Sequence, residues 1–473
     1  MTSPRLAGSR REVMHLAWPI GVSMMSFTLK GFVDMAMVGQ LGTDALGAVG
    51  FASIATWFAL CFPWGILRGQ RPLVSQHIGA QQKDLAFSFG AHAFYLAFLS
   101  GLLLIIFQGP LVNIFGHFAA DTAMTPEAID IGKDYYGMRL WWLLPTLLTF
   151  AIAEYLRSTG RTRMPMAVDL LAHPLNLLFN YLLIFGHWGL PALGARGAAI
   201  GTGLADLIGL AVIAWLSRPR KKLPLGALRV NLSKLKEVVA VGWTGGIQFS
   251  LENLSFLSIT WIVGHTNQAA LAVHQAGIQL IHLSLLPAVA IGDAGSVLIG
   301  RYVGEMDWDG VKRTLRSILE IMLPFMGMMS LVFFFFGRPL SGIFLHDDDP
   351  VVLNMALDLG QGVMIAAALW QLGDALQIAF RFALRAAGDH HWVMWTGILC
   401  TWLLSIPLAW WVVFGFTLDP NSVEAGVHGS VDKVWLVWSG EIFVGSAIFV
   451  WRWRSGSWMR HRLVKDEASE VPA

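Results

Sequence analysis

Apolar residues gather into twelve stretches, each near the roughly 20 residues that an α-helix needs to cross a bilayer. The predicted helices centre on 13–38, 46–67, 86–107, 135–156, 164–185, 197–216, 236–262, 271–299, 314–336, 359–383, 392–415 and 433–451. The polar gaps between them alternate in charge. Basic residues collect at Arg5, Arg10 and Arg11; at Arg68, Arg71 and Lys83; at Arg157, Arg161 and Arg163; from Arg218 to Lys236; at Arg301, Lys312 and Arg313; at Arg381 and Arg385; and from Arg452 to Lys465. The intervening gaps are acidic or uncharged, as from Asp121 to Asp134, His346 to Asp349 and Asp419 to Asp432. Lys and Arg accumulate in the cytoplasmic loops of membrane proteins, so the first set predicts the cytoplasmic side. Both termini fall on it, in keeping with an even number of spans.

The pattern is written twice. Trp18, Gly21, Val38, Gly39, Ala45, Leu46, Leu73 and Gly79 recur as Trp243, Gly246, Val263, Gly264, Ala270, Leu271, Leu298 and Gly304, at a shift of about 225 residues. Further along, Thr125-Pro126 matches Asp349-Pro350, each reading as a helix N-cap followed by proline at the first helical position. Leu156-Arg157 with Gly160 falls on Leu384-Arg385 with Gly388, and Gly186 falls on Gly415. The expected fold is therefore an all-α integral membrane protein of twelve transmembrane helices. It forms two parallel six-helix repeats around a central cleft, related by an axis along the membrane normal. The N-terminal lobe is expected over 1–216 and a basic cytoplasmic linker over 217–235, where Pro and Gly concentrate. The C-terminal lobe, with a basic cytoplasmic tail, takes 236–473.

Composition agrees, since 55% of the residues are hydrophobic and only 14% charged, too few to cover an aqueous surface. The net charge of +2 forms no basic face, so nucleic acid is excluded as a partner. Cys61 and Cys400 lie in separate apolar runs and read as buried small hydrophobes. The apolar run after Arg10 and Arg11 is too long for a cleaved leader, and the first helix is expected to remain.

Charged residues inside the spans carry the functional signal, because each costs roughly 2.5–3.5 kcal/mol at the bilayer centre unless it is paired, hydrated or bound to an ion. Asp34 lies in the first helix, Glu252 in the seventh, Asp293 in the eighth and Asp374 in the tenth. Under the repeat register Glu252 matches Phe27, Asp34 matches Ile259 and Asp374 falls near Thr146, so the two halves distribute their acids differently. Lys30 stands four residues before Asp34, a spacing that lets the two side chains meet on one helix face. Arg68 and Asp293 occupy equivalent positions, and this pairing of opposite charges predicts an inner gate.

Several segments resemble the multidrug and toxic compound extrusion family, in its NorM-like branch. They are FVDMAMVGQLGTDALGAVG at 32–50, LVSQHIGAQ at 73–81, LNLLFNYLLIFGHWGLPALGARGAAIGT at 175–202, GWTGGIQFSLE at 242–252 and DALQIAFRFALRAAGD at 374–389. The resemblance implies a secondary-active antiporter that exports lipophilic, often cationic compounds, driven by sodium ions or protons. It also implies that Asp34, Glu252 and Asp374 serve cation coupling or substrate charge. Asn176, Asn180 and Thr202 would line the cavity of the N-terminal lobe. Lys30 departs from the family's pattern, and Asn180 replaces an acid found in other branches. No cofactor is expected beyond the coupling ion. Small molecules and the lipid bilayer are the expected partners, with no obligate protein partner, and a bacterial inner membrane is the expected location.

Other signals read as structural. The run His346-Asp347-Asp348-Asp349 ends in a helix cap and predicts no metal site. His390-His391 reads as a solvated loop pair. Gly197 with Gly201, and Gly242 with Gly246, have the spacing of close helix packing. A flippase for lipid-linked sugars or natural products is the rival within transport, and several cavity Arg or Lys would mark it. An intramembrane enzyme would need a nucleophile and base or metal ligands at mid-membrane depth, and no such set is evident.

Overall fold

A computed structural model describes residues 7–122, 124–218, 225–346, 348–415 and 431–464. Arg5, Arg220, Lys221, Lys222, Asp347, Asp419 and Lys465, which entered the reading of loop charge, lie outside the described residues. Among the described residues the regular structure is entirely helical. The first repeat comprises α1 (Arg10–Gly39), α2 (Thr43–Leu67), α3 (Gln70–Gly79), α4 (Lys83–Ile106), α5 (Gln108–Ala120), α6 (Pro126–Ser158), α7 (Arg163–Phe185) and α8 (Ala195–Leu216). The second comprises α9 (Leu232–Gly264), α10 (Gln268–Glu305), α11 (Trp308–Ser341), α12 (Pro350–Ala387), α13 (His390–Cys400), α14 (Ile406–Phe414) and α15 (Val431–Arg454).

The extra pieces have local causes. Proline lacks an N–H and its ring clashes with the carbonyl four residues earlier. Pro110 therefore separates α4 from α5 at Phe107, and Pro339 kinks α11 at Phe336, where φ is −114° and ψ is 19°. The same interruption thus occurs in both repeats. In α10 the chain runs helically through Asp293, whereas its counterpart breaks at Arg68–Gly69 into α2 and α3. Pro407 has a similar effect between α13 and α14, which are joined by one turn of π-helix over Thr401–Ser405. Both expected caps form. Thr125 Oγ1 accepts from the Ala128 amide at 3.1 Å, and Asp349 Oδ1 accepts from the Val351 amide at 2.8 Å. His390 and His391 differ from expectation: they open α13 rather than lie in a loop, and His390 is buried, because Gly388 ends α12 immediately before them.

By internal contacts the chain divides into two units, Pro19–Ile247 (the N unit) and Gln248–Ala473 together with Met1–Trp18 (the C unit). The divisions fall inside α1 and α9. In the C unit, the Gly8 amide donates to Tyr302 Oη at 2.9 Å and Ser317 Oγ donates to the Gly8 carbonyl at 2.7 Å. In the N unit, Lys234 Nζ donates to Ser88 Oγ at 3.0 Å, and the α9 segment at Gly242 and Gly246 lies against the backbone of α2 at Ile66 and Phe62. A side chain at either glycine would collide there, so the GxxxG spacing serves packing.

Each unit is built round its long fourth span. In the N unit α6 packs against α2, α4 and α8, and in the C unit α12 packs against α10, α11 and α15. Ten helical segments are long and apolar enough to cross a membrane, and α6 and α9, at 33 residues each, have the length for the remaining two spans. Their outer faces expose large apolar residues such as Phe32, Ile106, Trp215, Phe335 and Leu403, as contact with lipid requires. Cys61 and Cys400 are buried free thiols.

Candidate functional site

In the N unit, α1, α7 and α8 bring together the polar residues expected there. Asp34 Oδ1 accepts from Asn180 Nδ2 at 2.5 Å, and Asp34 Oδ2 accepts from Thr202 Oγ1 at 3.3 Å. Asn176 Nδ2 donates to Thr202 Oγ1 at 3.0 Å, which leaves that hydroxyl hydrogen for Asp34. Asn176, Asn180 and Thr202 are all buried. Gly201 makes this approach possible, since a Cβ there would lie 3.0 Å from the Asn180 amide nitrogen. Asp34 is held by neutral donors.

Lys30 does not follow the expectation that its spacing to Asp34 sets. Its Nζ donates to Asp206 Oδ1 at 2.8 Å, with the lysine and aspartate side chains only 12% and 15% exposed. Thr146 Oγ1 donates to the other oxygen of Asp206 at 2.7 Å. Two residues four apart share a helix face, but α8 offers a carboxylate there already held by the Thr146 hydroxyl of α6, and the ammonium completes its coordination. Arg139 on α6 acts electrostatically on both Asp34 and Asp206. Two carboxylates thus meet two cations.

The C unit has a different balance. Glu252 Oε1 on α9 accepts from Arg381 Nη1 on α12 at 2.7 Å and from Gln248 Nε2 at 2.8 Å. Gln248 Oε1 in turn accepts from Arg385 Nη2 at 2.5 Å. Asp374 is 4% exposed, and its Oδ2 has no hydrogen-bond partner among the described residues. Glu441 on α15 is also buried and accepts from Ser405 Oγ at 3.3 Å, at the end of the π-helical turn. Glu252 and Arg381 act electrostatically on both acids. Among the described residues Arg381 is the guanidinium paired with Glu252 and acting on Asp374 and Glu441, while Arg385 reaches the cluster through Gln248. Buried negative charge of this kind requires a proton or a mobile cation to offset it.

Asp293 is fully buried within α10 of the C unit, and Arg68 caps α2 in the N unit. Several members of these clusters escaped the sequence reading. Asp206 and Glu441 sit in the middle of predicted spans and carried the same signal as Asp34. Arg139 lay just inside its span, and Arg381 was counted with the cytoplasmic loop charge, although it stands on α12 facing Glu252.

Known proteins repeat this architecture. The chain is 26% identical over 442 residues to the multidrug resistance protein NorM of Burkholderia vietnamiensis, covering 91% of this chain and 93% of that one. It is likewise 26% identical over 466 residues to a probable multidrug resistance protein NorM of Thermotoga maritima, covering 97% and 95%. A multidrug resistance transporter of the MATE family, solved in an outward-facing conformation, shares the fold with a TM-score of 0.84 at 17% identity, covering 97% of this chain and 99% of that one. The MatE family model matches twice, over residues 19–182 and 246–411, once in each repeat. A double match of that extent, on twelve spans arranged as two copies of one unit, shows that the chain belongs to the MatE family of multi-pass membrane transporters.

Proposed function

We propose that this transporter is a secondary-active exporter of lipophilic, often cationic compounds, exchanging them for sodium ions or protons across a bacterial inner membrane. Both termini would then be cytoplasmic, and the coupling ion takes the place of any cofactor. The observation that carries the reading is the pair of buried acids in the C unit, Asp374 and Glu441, which act on one another in the field of Arg381, a guanidinium already paired with Glu252. A carboxylate so placed alternates between an inward-moving cation and a positively charged cargo, because either can offset it but both together overcharge it. Asp34 is held by Asn180 and Thr202 without a direct ion pair, and Arg139 acts on it electrostatically.

The rival reading, a flippase for phosphate-bearing lipids, needs cations free to hold phosphate. Lys30 and Arg381 are instead each engaged by a carboxylate, and Arg139 stands in the field of Asp34 and Asp206, which favours the exporter. The deciding experiment is efflux of a fluorescent organic cation from reconstituted vesicles, with sodium and pH gradients imposed separately. Efflux driven by one of the gradients supports the proposal; equal rates with and without both gradients refute it.

A further inference from the structure

The second repeat carries one charge that the first lacks. Leu384-Arg385 and Gly388 repeat Leu156-Arg157 and Gly160 at a shift of about 228 residues, and the same register sets Arg381 against Ala153. Arg385 therefore belongs to the repeated framework, whereas Arg381 is peculiar to the C-terminal copy. Its side chain does not extend into open solvent as a loop arginine would. It is 22% exposed, and its Nη1 lies 2.7 Å from Oε1 of Glu252, itself 25% exposed.

The polarity round Glu252 points the same way. A hard cation binds through several oxygens. Here Oε1 of Glu252 faces two N–H donors, from Arg381 and from Gln248. Gln248 cannot easily turn its carbonyl toward a cation at Glu252, because that oxygen is held by Arg385 at 2.5 Å. The arrangement therefore offers hydrogens where a metal ion needs lone pairs, and it adds a fixed positive charge that repels a second one. Asp374, two helical turns before Arg381 on α12, has a buried Oδ2 without any such donor among the described residues.

Building on the reading of the chain as a cation-coupled exporter, we infer that Arg381 is a resident cation that fills Glu252 and keeps sodium from it, leaving Asp374 as the carboxylate open to the mobile ion. Glu252 is then a positioning residue for Arg381 and not an ion ligand. Arg381 is the side chain that sets which cation this unit accepts.

Binding of radiolabelled sodium to the purified, reconstituted full-length protein tests this. The wild type is expected to show no saturable sodium binding that depends on Glu252. Arg381→Met is expected to create such binding, a gain from none to saturable. Adding Glu252→Gln to that variant should remove it. Arg381→Lys keeps the charge and should exclude sodium as the wild type does, and the unfolding temperature of Arg381→Met shows that it is folded. Wild-type sodium binding that Glu252→Gln abolishes would overturn the assignment, as would a folded Arg381→Met variant that gains none. Efflux of an organic cation in the same vesicles keeps the two readings apart: absent efflux with sodium still excluded defeats the exporter and not the role of Arg381.

Discussion

The two units share a scaffold and differ in how they settle their buried charge. In the N unit, Asp206 on the sixth span is met by Lys30 and Thr146, and Asp34 by Asn180 and Thr202, so the polar groups close on one another. In the C unit, Glu441 on the sixth span has a distant hydroxyl from Ser405, and Asp374 occupies the position where the first repeat has Thr146. Replacing a hydroxyl donor by a second acid turns a self-contained network into one that lacks positive charge. The repeats share a frame, and they differ at a few positions on the fourth span and its neighbours, such as Thr146 against Asp374. Lys30 and Arg381 make the contrast sharper. Each ties down one acid of its own unit, but only the C unit has acids left over.

Removing the leftover acids should have the largest effect. Asp374→Asn is expected to reduce gradient-driven efflux to the level of empty vesicles while membrane expression persists, as read by fluorescent-cation transport beside an immunoblot. Next comes the internal pair of the N unit. Lys30→Ala leaves Asp206 without its ion-pair partner, and breaking a buried pair on one side costs about 3–5 kcal/mol, visible as a lowered unfolding temperature of the purified protein. The apolar replacement of both, Lys30→Met with Asp206→Leu, should recover most of that loss. If the single change were harmless, the pair would not be a closed unit.

Asn180→Ala removes a donor to Asp34 and is expected to weaken the fold or the bound cargo by about 1.5–3 kcal/mol, the range for hydrogen bonds to charged groups. Gly201→Ala disturbs the same contact by crowding Asn180 and should cost about 1–3 kcal/mol in thermal stability. The smallest effect belongs to the shared frame. Thr125→Ala removes the N-cap of α6 at a cost of about 1 kcal/mol, and removing the matching cap at Asp349 should cost a similar amount if the repeats are built alike.

Much of the frame was legible in the sequence, because lipid imposes long apolar runs and the repeat displays one helix start, at Thr125-Pro126 and Asp349-Pro350, twice. Thr125-Pro126 and Asp349-Pro350 are helix starts in the structure as in the text. The predicted spans 86–107 and 314–336 end at Phe107 and Phe336, where the structure has its interruptions; the helical turns that continue beyond them, into α5 and the end of α11, were less visible. For the site, residue type indicated which positions were costly but not which partner each would find. Lys30 and Asp34 are neighbours along one helix, yet Lys30 turns to Asp206, which is 176 positions away in sequence. Arg381 looked like loop charge for the same reason: α12 runs on for six residues past it, and Glu252 comes from a helix with no sequence relation to it.

In the proposed mechanism the mobile cation is met in the C unit, while in the N unit Lys30 and Arg139 offset Asp206 and Asp34. The most direct measurement is the ratio of organic-cation efflux with and without the driving gradient, taken side by side for Asp374→Asn and for the double variant Lys30→Met with Asp206→Leu. The ratio is expected to fall to one for Asp374→Asn and to stay well above one for the double variant even where its absolute rate is lower. A ratio that survives Asp374→Asn and collapses in the double variant would contradict that mechanism and move the coupling ion to the N unit.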